Sequence, residues 1–277
     1  MMELVKLERG ETSIHPTAII YEGAKIGKGV KIGPYAIIGK DVEIGDGCEI
    51  GPHVVLDGWT TIGSGCKFFP GASIGLVPQD LKFKNEKSFL YIGDNCTFRE
   101  SATVSRGTGE NGETRIGSNC LFMAYTHVAH DCILGNHIIM SNVATLAGHV
   151  TIEDRVVIGG LSAVHQFTKI GRNAMIGGGS MVSQDIPPYT MVTGYPAKVR
   201  GLNNVGMARA GISEEIRREI KKAFRILYRS GLTLSEAVIR MEEELNSSEE
   251  VEHFVRFLRN AERGVCRVSN RGNSDRE

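Results

Sequence analysis

The sequence predicts a mainly β protein: a parallel β-helix of hexapeptide repeats, followed by a C-terminal α-helical domain. Stepping in sixes from Ile14 to Val182 gives 29 positions, of which 26 hold Ile, Leu, Val, Phe or Met. A six-residue period fits neither an amphipathic helix nor an alternating strand, whereas three hexads make one triangular coil of a β-helix. Glycine is also more frequent than in an average protein, at 34 of 277 residues. Tight corners favour glycine because it tolerates unusual backbone angles.

Two excursions leave the repeat, at residues 77–91 and 106–115. They contain the three positions that break the period: Asp80, Glu86 and Glu110. In solenoids, insertions collect as loops on one face and often bind ligands. We therefore single out Asp80 and Lys82 of the first excursion as candidate binding groups. A tolerated surface insertion is the alternative.

Helical signals begin where the six-residue period ends. Ser213, followed by acidic residues, is predicted to cap a helix that ends at Gly231. Thr233 or Ser235 opens a second helix, and residues 249–263 form a third. The sequence therefore predicts three segments: the β-helix in residues 1–190, a helical domain in residues 191–267, and a disordered polar tail in residues 268–277.

The composition argues against several classes of protein. Formal net charge is zero at pH 7, which gives no support for general nucleic-acid binding. The N-terminal residues lack the apolar segment of a signal peptide, and no run approaches the ~18 apolar residues of a membrane span. We therefore expect a cytoplasmic protein that binds no nucleic acid and has no stable membrane insertion.

The six cysteines do not indicate a metal site, because no CxxC pair occurs. Five of them fall four places after the apolar residue of a hexad, a slot that elsewhere often holds alanine: Cys48, Cys66, Cys96, Cys120 and Cys132. Buried cysteine behaves as a small hydrophobic residue. These thiols are therefore predicted to be reduced and structural.

The histidines are concentrated in one part of the repeat, with five of the eight between residues 127 and 165. Residues 18 apart stack in successive coils, which predicts His130, His149 and His165 on one wall. His127 lies at the adjoining corner, and Asp131 follows His130 directly. A lone histidine on a solenoid is most often structural, but four at one level indicate a site.

Two chemistries use such a cluster. Zinc prefers three or four nitrogen or sulfur donors. Alternatively, a neutral histidine removes a proton near pH 7, particularly when a carboxylate orients it. The sequence gives no comparably strong indication of a serine or cysteine nucleophile beside the cluster. Direct attack by an acceptor that a histidine activates is therefore the simpler mechanism.

Three segments carry a specific resemblance: Thr126–Cys132, Leu146–Val150 and Ala163–Phe167. With the hexads, the first excursion and the helical C-terminus, they make residues 13–265 similar to the UDP-N-acetylglucosamine 3-O-acyltransferases, which begin lipid A biosynthesis. General hexapeptide acetyltransferases share the repeat but not this combination. The resemblance implies a left-handed parallel β-helix, an exception to the right-handed crossover rule, and a homotrimer with three sites between subunits.

The resemblance also implies a reaction. An (R)-3-hydroxyacyl group would pass from acyl carrier protein to the 3-hydroxyl of UDP-N-acetylglucosamine. No metal and no cofactor would be needed beyond the donor's phosphopantetheine arm. His130 matches the family's general base, and Asp131 matches the residue that orients it. The Gly148 N–H matches the donor that faces the developing oxyanion.

Other positions match family residues that bind or position the substrate. Those assigned to the nucleotide sugar or its surroundings are Asp80, Lys82, His127, His149, His165 and Gln166. Asn203 and Arg209 match positions near the nucleotide phosphates and the carrier-linked arm. An excess of Lys and Arg in residues 196–230 suits docking of an acidic carrier protein.

Three positions bear on specificity. Gly178 matches the position that limits the acyl groove, and a glycine there predicts room for a longer chain. Ala210 stands where family members often have a second arginine, and Ser105 replaces a histidine. Phosphate or carrier contacts are therefore expected to differ in detail.

Several alternatives stay open from the sequence. The lipid A N-acyltransferases share the hexads but carry a separate N-terminal uridine-binding domain, for which a repeat starting at Ile14 leaves no room. The γ-type carbonic anhydrases share the solenoid and bind zinc through three histidines, but their ligand spacing is not reproduced. A non-catalytic binding solenoid is a third class. The sequence determines neither the acyl chain length nor whether a 3-amino sugar is the acceptor.

Overall fold

The computed structural model describes residues 11–268, which form a triangular solenoid of three parallel sheets with four helices at its C-terminal end. Each coil contributes one short strand to each sheet, so that strands three apart in the chain are neighbours. The predicted parallel β-helix with helices after it is therefore confirmed.

The strands of each sheet follow one another along the solenoid axis. The first sheet contains Ser13–Ile14, Lys31–Ile32, Glu49–Ile50, Lys67–Phe68, Thr97–Phe98, Leu121–Phe122, Ile139–Met140, Val157–Ile158, Met175–Ile176, Thr190–Thr193 and Lys198–Leu202. The second sheet contains Ile19–Ile20, Ile37–Ile38, Val55–Leu56, Ser73–Leu76, Thr103–Ser105, His127–Val128, Thr145–Leu146, Ala163–Val164 and Met181–Val182. The third sheet contains Lys25–Ile26, Val42–Ile44, Trp59–Ile62, Phe89–Ile92, Glu113–Ile116, Ile133–Leu134, Thr151–Ile152 and Lys169–Ile170.

The corners define three edges of the prism. Edge I joins the first sheet to the second, edge II the second to the third, and edge III the third to the first. At most corners the third residue after the buried apolar one adopts a left-handed backbone, as Asp131 (φ 58°) and His149 (φ 60°) do. Equivalent corner residues in successive coils therefore lie in columns along each edge.

Both excursions leave the coil at edge II. Loop 1 (residues 77–88) and loop 2 (residues 106–112) end where the strands at Phe89 and Glu113 begin, three residues before the predicted ends. Across loop 1, Ser73 pairs with Thr103, two hexads further along the chain than in a regular coil. Across loop 2, Thr103 pairs with His127, one hexad further than in a regular coil. Because both insertions are whole hexads, the apolar positions stay in phase.

The core is a continuous apolar column inside the prism. Its widest part is a stack of three rings, in which the centroids of Phe68 and Phe98 are 5.1 Å apart and those of Phe98 and Phe122 are 4.7 Å apart. All six cysteines are buried and free, as predicted for the five that follow the repeat. The thiols of these five donate to carbonyls of the next coil, for example Cys132 Sγ to Ala147 O at 3.2 Å.

The C-terminal region contains helices α1 (Asn204–Arg209), α2 (Glu214–Arg229), α3 (Leu234–Glu244) and α4 (Glu249–Arg259). Ser213 caps α2 as predicted, and Thr233, not Ser235, caps α3 with a full capping box. The third predicted helix ends at Arg259 rather than at residue 263, because Asn260 closes it. Helix α1 was not predicted.

The boundary predicted after residue 190 falls inside the first sheet. Thr190–Thr193 continues that sheet and turns back through Lys198–Leu202, so the first helix begins only at Asn204. The six-residue period had already ended, which is why the sequence pattern did not reveal these strands. The predicted disordered tail lies outside the described residues except for Val268, which forms a β-bridge with Val199.

Helix α4 packs against the last coils of the solenoid through polar pairs. His253 is buried and its Nε2 lies 2.8 Å from Glu153 Oε2, while Arg172 pairs with Glu249 at 3.3 Å. The buried Asp185 carboxylate accepts hydrogen bonds from the backbone N–H groups of Lys169 and Glu262, both at 2.8 Å.

Among residues 11–268, none of the helices is both long and apolar enough to span a membrane.

We predict that Phe98→Ala lowers the free energy of unfolding by about 3–5 kcal/mol, because it leaves a cavity in the middle of the ring stack. Urea denaturation at fixed protein concentration measures the change. Thr97→Ala, on the outward-facing side of the same strand, is the matched control and should change stability by about 0.5 kcal/mol or less. Equal losses in the two variants would contradict the assignment of Phe98 to the core.

Candidate active site

The predicted site residues of the histidine cluster lie along edge II, in adjacent columns. His130, Gly148 and Gln166 occupy the same position of successive coils and form one column, and Asp131, His149 and Phe167 form the next. Backbone hydrogen bonds join these turns, from His149 N–H to His130 O at 3.0 Å and from Phe167 N–H to Gly148 O at 3.2 Å. The repeat itself therefore brings the cluster together.

His130 and Asp131 form a hydrogen-bonded pair. His130 Nδ1 lies 2.8 Å from Asp131 Oδ2, and the two side chains are 14% and 13% exposed. Because a carboxylate accepts, Nδ1 is the donor, and in the neutral ring the lone pair is on Nε2. Largely buried and oriented in this way, His130 has the arrangement of a general base.

Gly148 packs directly against the ring of His130. A Cβ added to Gly148 would lie 2.6 Å from His130 Cε1 and 2.8 Å from Nε2. Any side chain at this position would therefore displace the imidazole. Within residues 11–268 no acceptor is hydrogen-bonded to the Gly148 N–H, so this donor stays available beside the ring.

His149 extends the cluster toward the next coil. Its ring is edge-on to that of His130, with centroids 5.3 Å apart, and stacks on Phe167 at 4.7 Å. His149 Nε2 lies 3.6 Å from Asp131 Oδ2. The stack holds a 40% exposed imidazole at the edge of the site, where it can contact a ligand.

His127 lies on the His127–Val128 strand of the second sheet and not at the predicted corner, whereas His130, predicted on a wall, lies in the corner that follows this strand. Thr103 Oγ1 lies 2.7 Å from His127 Nδ1. Burial, aided by the nearby His130, lowers the pKa of His127. His127 is therefore neutral at physiological pH and presents a polar ring without a second positive charge beside the base.

His165 and Gln166 are exposed on edge II, and His165 Nδ1 donates to the Gln166 carbonyl at 3.1 Å. His165 also lines an open, mainly apolar groove of about 540 Å³ on the outer face of the second sheet. The remaining lining residues are Ala163, Val164, Met181, Val182, Ser183, Tyr195 and Pro196. The groove starts in the coil of His165 and runs toward the helical end.

Loop 1 carries Asp80 and Lys82 along edge II. Asp80 Oδ1 accepts the Lys82 backbone N–H at 2.9 Å, and the Lys82 side chain is exposed. Loop 1 also contacts loop 2, where the Gly109 N–H donates to Glu86 Oε1 at 3.1 Å. Both loops therefore stand on the same edge as His130.

The remaining predicted residues lie away from edge II. Gly178 is exposed on edge I, with Gly160 O at 3.2 Å from an added Cβ. Asn203 is buried at the start of α1; its Oδ1 caps the Gly206 N–H at 2.9 Å, and its Nδ2 donates to Asn173 O on edge III at 2.9 Å. Arg209 is exposed at the end of α1. One chain does not gather these residues around His130.

Two site features were missed by the sequence reasoning. Thr108 of loop 2 donates its N–H to Asp131 Oδ1 at 3.0 Å and its hydroxyl to Oδ2 at 2.5 Å. Phe167 supplies the stacking partner of His149. The repeat spacing from His149 could have revealed Phe167, whereas no local pattern reveals a contact made by an inserted loop.

The cluster also offers donors to a metal ion. One donor atom each from His130, Asp131 and His149 lies within 4.8 Å of the others, a set of the size that a catalytic zinc takes from a protein. Asp131 Oδ2, however, already accepts from His130 and Thr108. The expectation that the site needs no metal stays a prediction.

Comparison with known proteins matches both parts of the chain. A model of the bacterial transferase hexapeptide matches residues 23–58, and a model of UDP-N-acetylglucosamine O-acyltransferase domain 2 matches residues 185–266. The chain is 52% identical to the acyl-[acyl-carrier-protein]–UDP-N-acetylglucosamine O-acyltransferase of Anaeromyxobacter sp. (strain K), over 92% of this chain and 100% of that protein. The enzyme of that name from Myxococcus xanthus is 49% identical, over 92% of this chain and 99% of the relative.

Comparison with solved structures agrees with the sequence matches. The UDP-N-acetylglucosamine acyltransferase of Bacteroides fragilis superposes with a TM-score of 0.89 at 44% identity, covering 92% of this chain and 100% of that one. The Arabidopsis enzyme gives a TM-score of 0.81 at 36% identity, covering 92% and 100%. The solenoid is therefore a left-handed parallel β-helix with a C-terminal helical region. The chain belongs to the acyl-[acyl-carrier-protein]–UDP-N-acetylglucosamine O-acyltransferase family and is an O-acyltransferase.

Proposed function

We propose that the protein transfers an (R)-3-hydroxyacyl group from acyl carrier protein to the 3-hydroxyl of UDP-N-acetylglucosamine, the first step of lipid A biosynthesis. The relatives' names supply the substrate classes. The single observation that carries the mechanism is the 2.8 Å hydrogen bond between His130 Nδ1 and Asp131 Oδ2. That bond leaves His130 Nε2 free to take a proton from the acceptor.

The reaction follows from that free lone pair. His130 Nε2 removes the proton of the sugar 3-hydroxyl while the oxygen attacks the thioester carbonyl. The tetrahedral intermediate then expels the phosphopantetheine thiolate, which takes the proton from the imidazolium and leaves as the free thiol. General-base help of this kind is typically worth ~10²–10⁴ in rate. Asp131 stabilises the imidazolium and keeps its hydrogen bonds with His130 and Thr108.

The Gly148 N–H is the proposed donor to the oxyanion. It is buried beside His130 and makes no hydrogen bond within the described part of the chain. A donor aimed at the developing negative charge typically lowers the barrier by ~3 kcal/mol. Glycine is needed here for space, since the His130 ring occupies the position of a Cβ.

The groove of about 540 Å³ beside His165 supports an acyl-binding role for this face. It begins two coils from His130, roughly 10 Å along the axis. Met181 and Tyr195 supply apolar walls and are 42% and 82% exposed. Gly178 lies in the corner before Met181, where a side chain would stand across the path of a longer chain.

We assign binding of the sugar nucleotide and of the carrier protein to groups of residues rather than to single contacts. Asp80 and Lys82 offer a carboxylate and an ammonium group from loop 1, and His127 and His149 offer rings near the base. Gln166 lies in the column of His130. Arg209 is exposed within the basic segment 196–230, which suits a carrier protein of negative charge.

We further propose that the enzyme acts as a homotrimer with sites between subunits. Gly178 lies on edge I, His130 on edge II and Asn203 at the start of α1 against edge III, so a second chain would have to supply part of a complete site. Edge I also presents an exposed apolar row: Tyr125 at 64%, Val143 at 43% and Leu161 at 68%. Such rows on a solenoid are typical of surfaces that another chain covers.

No metal and no cofactor beyond the donor's phosphopantetheine are required by this mechanism. The protein is expected to act in the cytoplasm. The six free, buried cysteines fit a reducing compartment.

The experiment that tests the function incubates the protein with UDP-N-acetylglucosamine and a panel of 3-hydroxyacyl carrier proteins, and detects products by mass spectrometry. The reverse reaction, from acylated sugar and holo-carrier, covers an unfavourable equilibrium. His130→Ala should lower turnover by at least about 100-fold while the fold and oligomeric state are unchanged. EDTA should leave wild-type turnover unchanged.

Other outcomes of that experiment are informative. Turnover only with a 3-amino sugar would replace the ester product by an amide. Loss of activity with EDTA and recovery with zinc would favour a metal role for His130, Asp131 and His149. Near-full activity of His130→Ala would remove the general-base assignment.

We predict that Gly148→Ala lowers kcat by about 100-fold or more, because the added methyl group pushes the His130 ring out of line with the acceptor. Steady-state kinetics measure the loss, and a structure of the variant should show the displaced ring. Gly201→Ala is the matched control, since a Cβ there meets nothing within 4 Å. Normal kcat in Gly148→Ala would contradict the packing of Gly148 against His130.

We predict that Gly178→Met shifts donor preference toward shorter acyl chains. The ratio of kcat/KM for short over long donors should rise by at least about 10-fold, since a pocket discriminates methylene groups by roughly that factor. Competition between two acyl carrier proteins of different chain length measures the ratio. An unchanged ratio would exclude Gly178 from chain-length control.

A further inference from the structure

Loop 2 reaches the catalytic pair through a single residue. Thr108 donates its backbone N–H to Asp131 Oδ1 at 3.0 Å and its hydroxyl to Oδ2 at 2.5 Å. Oδ2 is also the atom that accepts His130 Nδ1. One threonine therefore binds both oxygens of the carboxylate that orients the base.

The position of loop 2 explains this contact. Thr103 pairs with His127, and Val104 with Val128, so Gly107 precedes Asp131 in the same edge II column. The chain leaves the coil at that point, and Thr108 is the next residue. The insertion of one hexad keeps the repeat in phase, so the solenoid could close without it. The clearest structural consequence of the insertion is that Thr108 provides two hydrogen-bond donors to Asp131.

Loop 2 is in turn held by loop 1. Glu86 accepts the Gly109 N–H through Oε1 at 3.1 Å and the Lys84 N–H through Oε2 at 2.6 Å. Backbone N–H groups, first its own and then those of Lys84 and Gly109, lower the pKa of Glu86, so the carboxylate is charged at neutral pH. The Asn111 N–H adds a bond to Lys87 O at 2.8 Å.

We propose that Thr108 is a positioning residue for the His130–Asp131 pair, and that Glu86 of loop 1 holds Thr108 in place. The inference rests on the proposed function, since it assumes that His130 is the base. Loop 1 also carries Asp80 and Lys82, so these candidate binding groups are joined to the His130–Asp131 pair through Glu86, Gly109 and Thr108.

Two properties separate this role from simple loop stability. First, the Thr108 hydroxyl withdraws charge from Oδ2, the oxygen that faces His130. Removing it leaves more negative charge on Oδ2, which favours the protonated form of the imidazole that Oδ2 faces. Second, Asp131 loses one of its two fixed oxygens, so the imidazole is held less firmly. At a given pH less of the variant's His130 is then in the neutral form that can accept a proton, and the ring is less well aimed.

The test replaces Thr108 by valine, which keeps the shape and the backbone N–H but lacks the hydroxyl. We expect kcat to fall by roughly 10- to 100-fold, the range for loss of a hydrogen bond to a charged group. The KM for UDP-N-acetylglucosamine should stay within about twofold, since the hydroxyl is bound to Asp131 and not directed at substrate. The acid limb of the kcat/KM profile should move to higher pH.

Matched variants sharpen the result. Thr108→Ser restores the hydroxyl and should recover most of kcat and the wild-type pH profile. Glu110→Gln changes an exposed side chain of the same loop and should leave both unchanged. Wild-type kcat and an unshifted acid limb in Thr108→Val would overturn the proposal, as would failure of serine to restore activity.

The Glu86 link is tested by a double-mutant cycle. Glu86→Ala alone should lower kcat, by less than Thr108→Val does, because the Thr108 hydroxyl remains but its loop is less constrained. In the Thr108→Val background, Glu86→Ala should add little, because both act through one contact. Losses that simply multiply would show that Glu86 does not act through Thr108.

A second readout does not depend on turnover. In protein labelled with ¹⁵N-histidine, the NMR titration of His130 should shift to higher pH in Thr108→Val and return in Thr108→Ser. If wild-type protein turns over but the variant neither slows nor shifts, the positioning role fails alone. If wild type is silent with every donor, the proposed function fails, and the titration still decides whether Thr108 tunes His130.

Discussion

The stacking of one coil on the next is the constraint on which the rest of the structure depends. Each coil must place an apolar residue over an apolar residue and an N–H under a carbonyl on all three faces. A shift of one residue would turn the buried positions outward along a whole strand. Both inserted loops obey this condition, since the pairs across them, Ser73 with Thr103 and Thr103 with His127, keep the apolar positions in register. The protein therefore adds loops only in whole hexads.

The same register builds the geometry of the candidate active site. His130 and Gly148 are neighbours because they occupy the same position of successive coils, and the ring of one fills the space that a side chain of the other would need. Asp131, His149 and Phe167 share the left-handed corner position, with φ between 58° and 64°. Such backbone is strained for a side chain of this size, and the hydrogen bonds of adjacent coils maintain it. The site inherits its rigidity from the scaffold.

Spacing alone was enough to predict the features that depend on the repeat. The period from Ile14 to Val182 indicated the coils, the buried thiols and the histidine cluster, because each of these is set by position within a hexad. Thr108 was out of reach, since its contact with Asp131 depends on how an inserted loop folds back. Asn203 shows a similar limit: its resemblance to a phosphate-binding position did not reveal that its side chain caps α1 and anchors it to Asn173.

The contacts of Asp131 show how the site balances two demands on one carboxylate. Oδ2 accepts the hydrogen bond from His130 Nδ1, and the carboxylate must keep one orientation for that bond to orient the ring. Donors from Thr108 take up part of the negative charge and fix the orientation of both oxygens. Because these donors come from a loop rather than from the coil, the surroundings of Asp131 can change without changing the scaffold. Loop 1 bonds to loop 2 through Glu86, so loop 1, loop 2 and the His130–Asp131 pair are parts of one hydrogen-bonded unit.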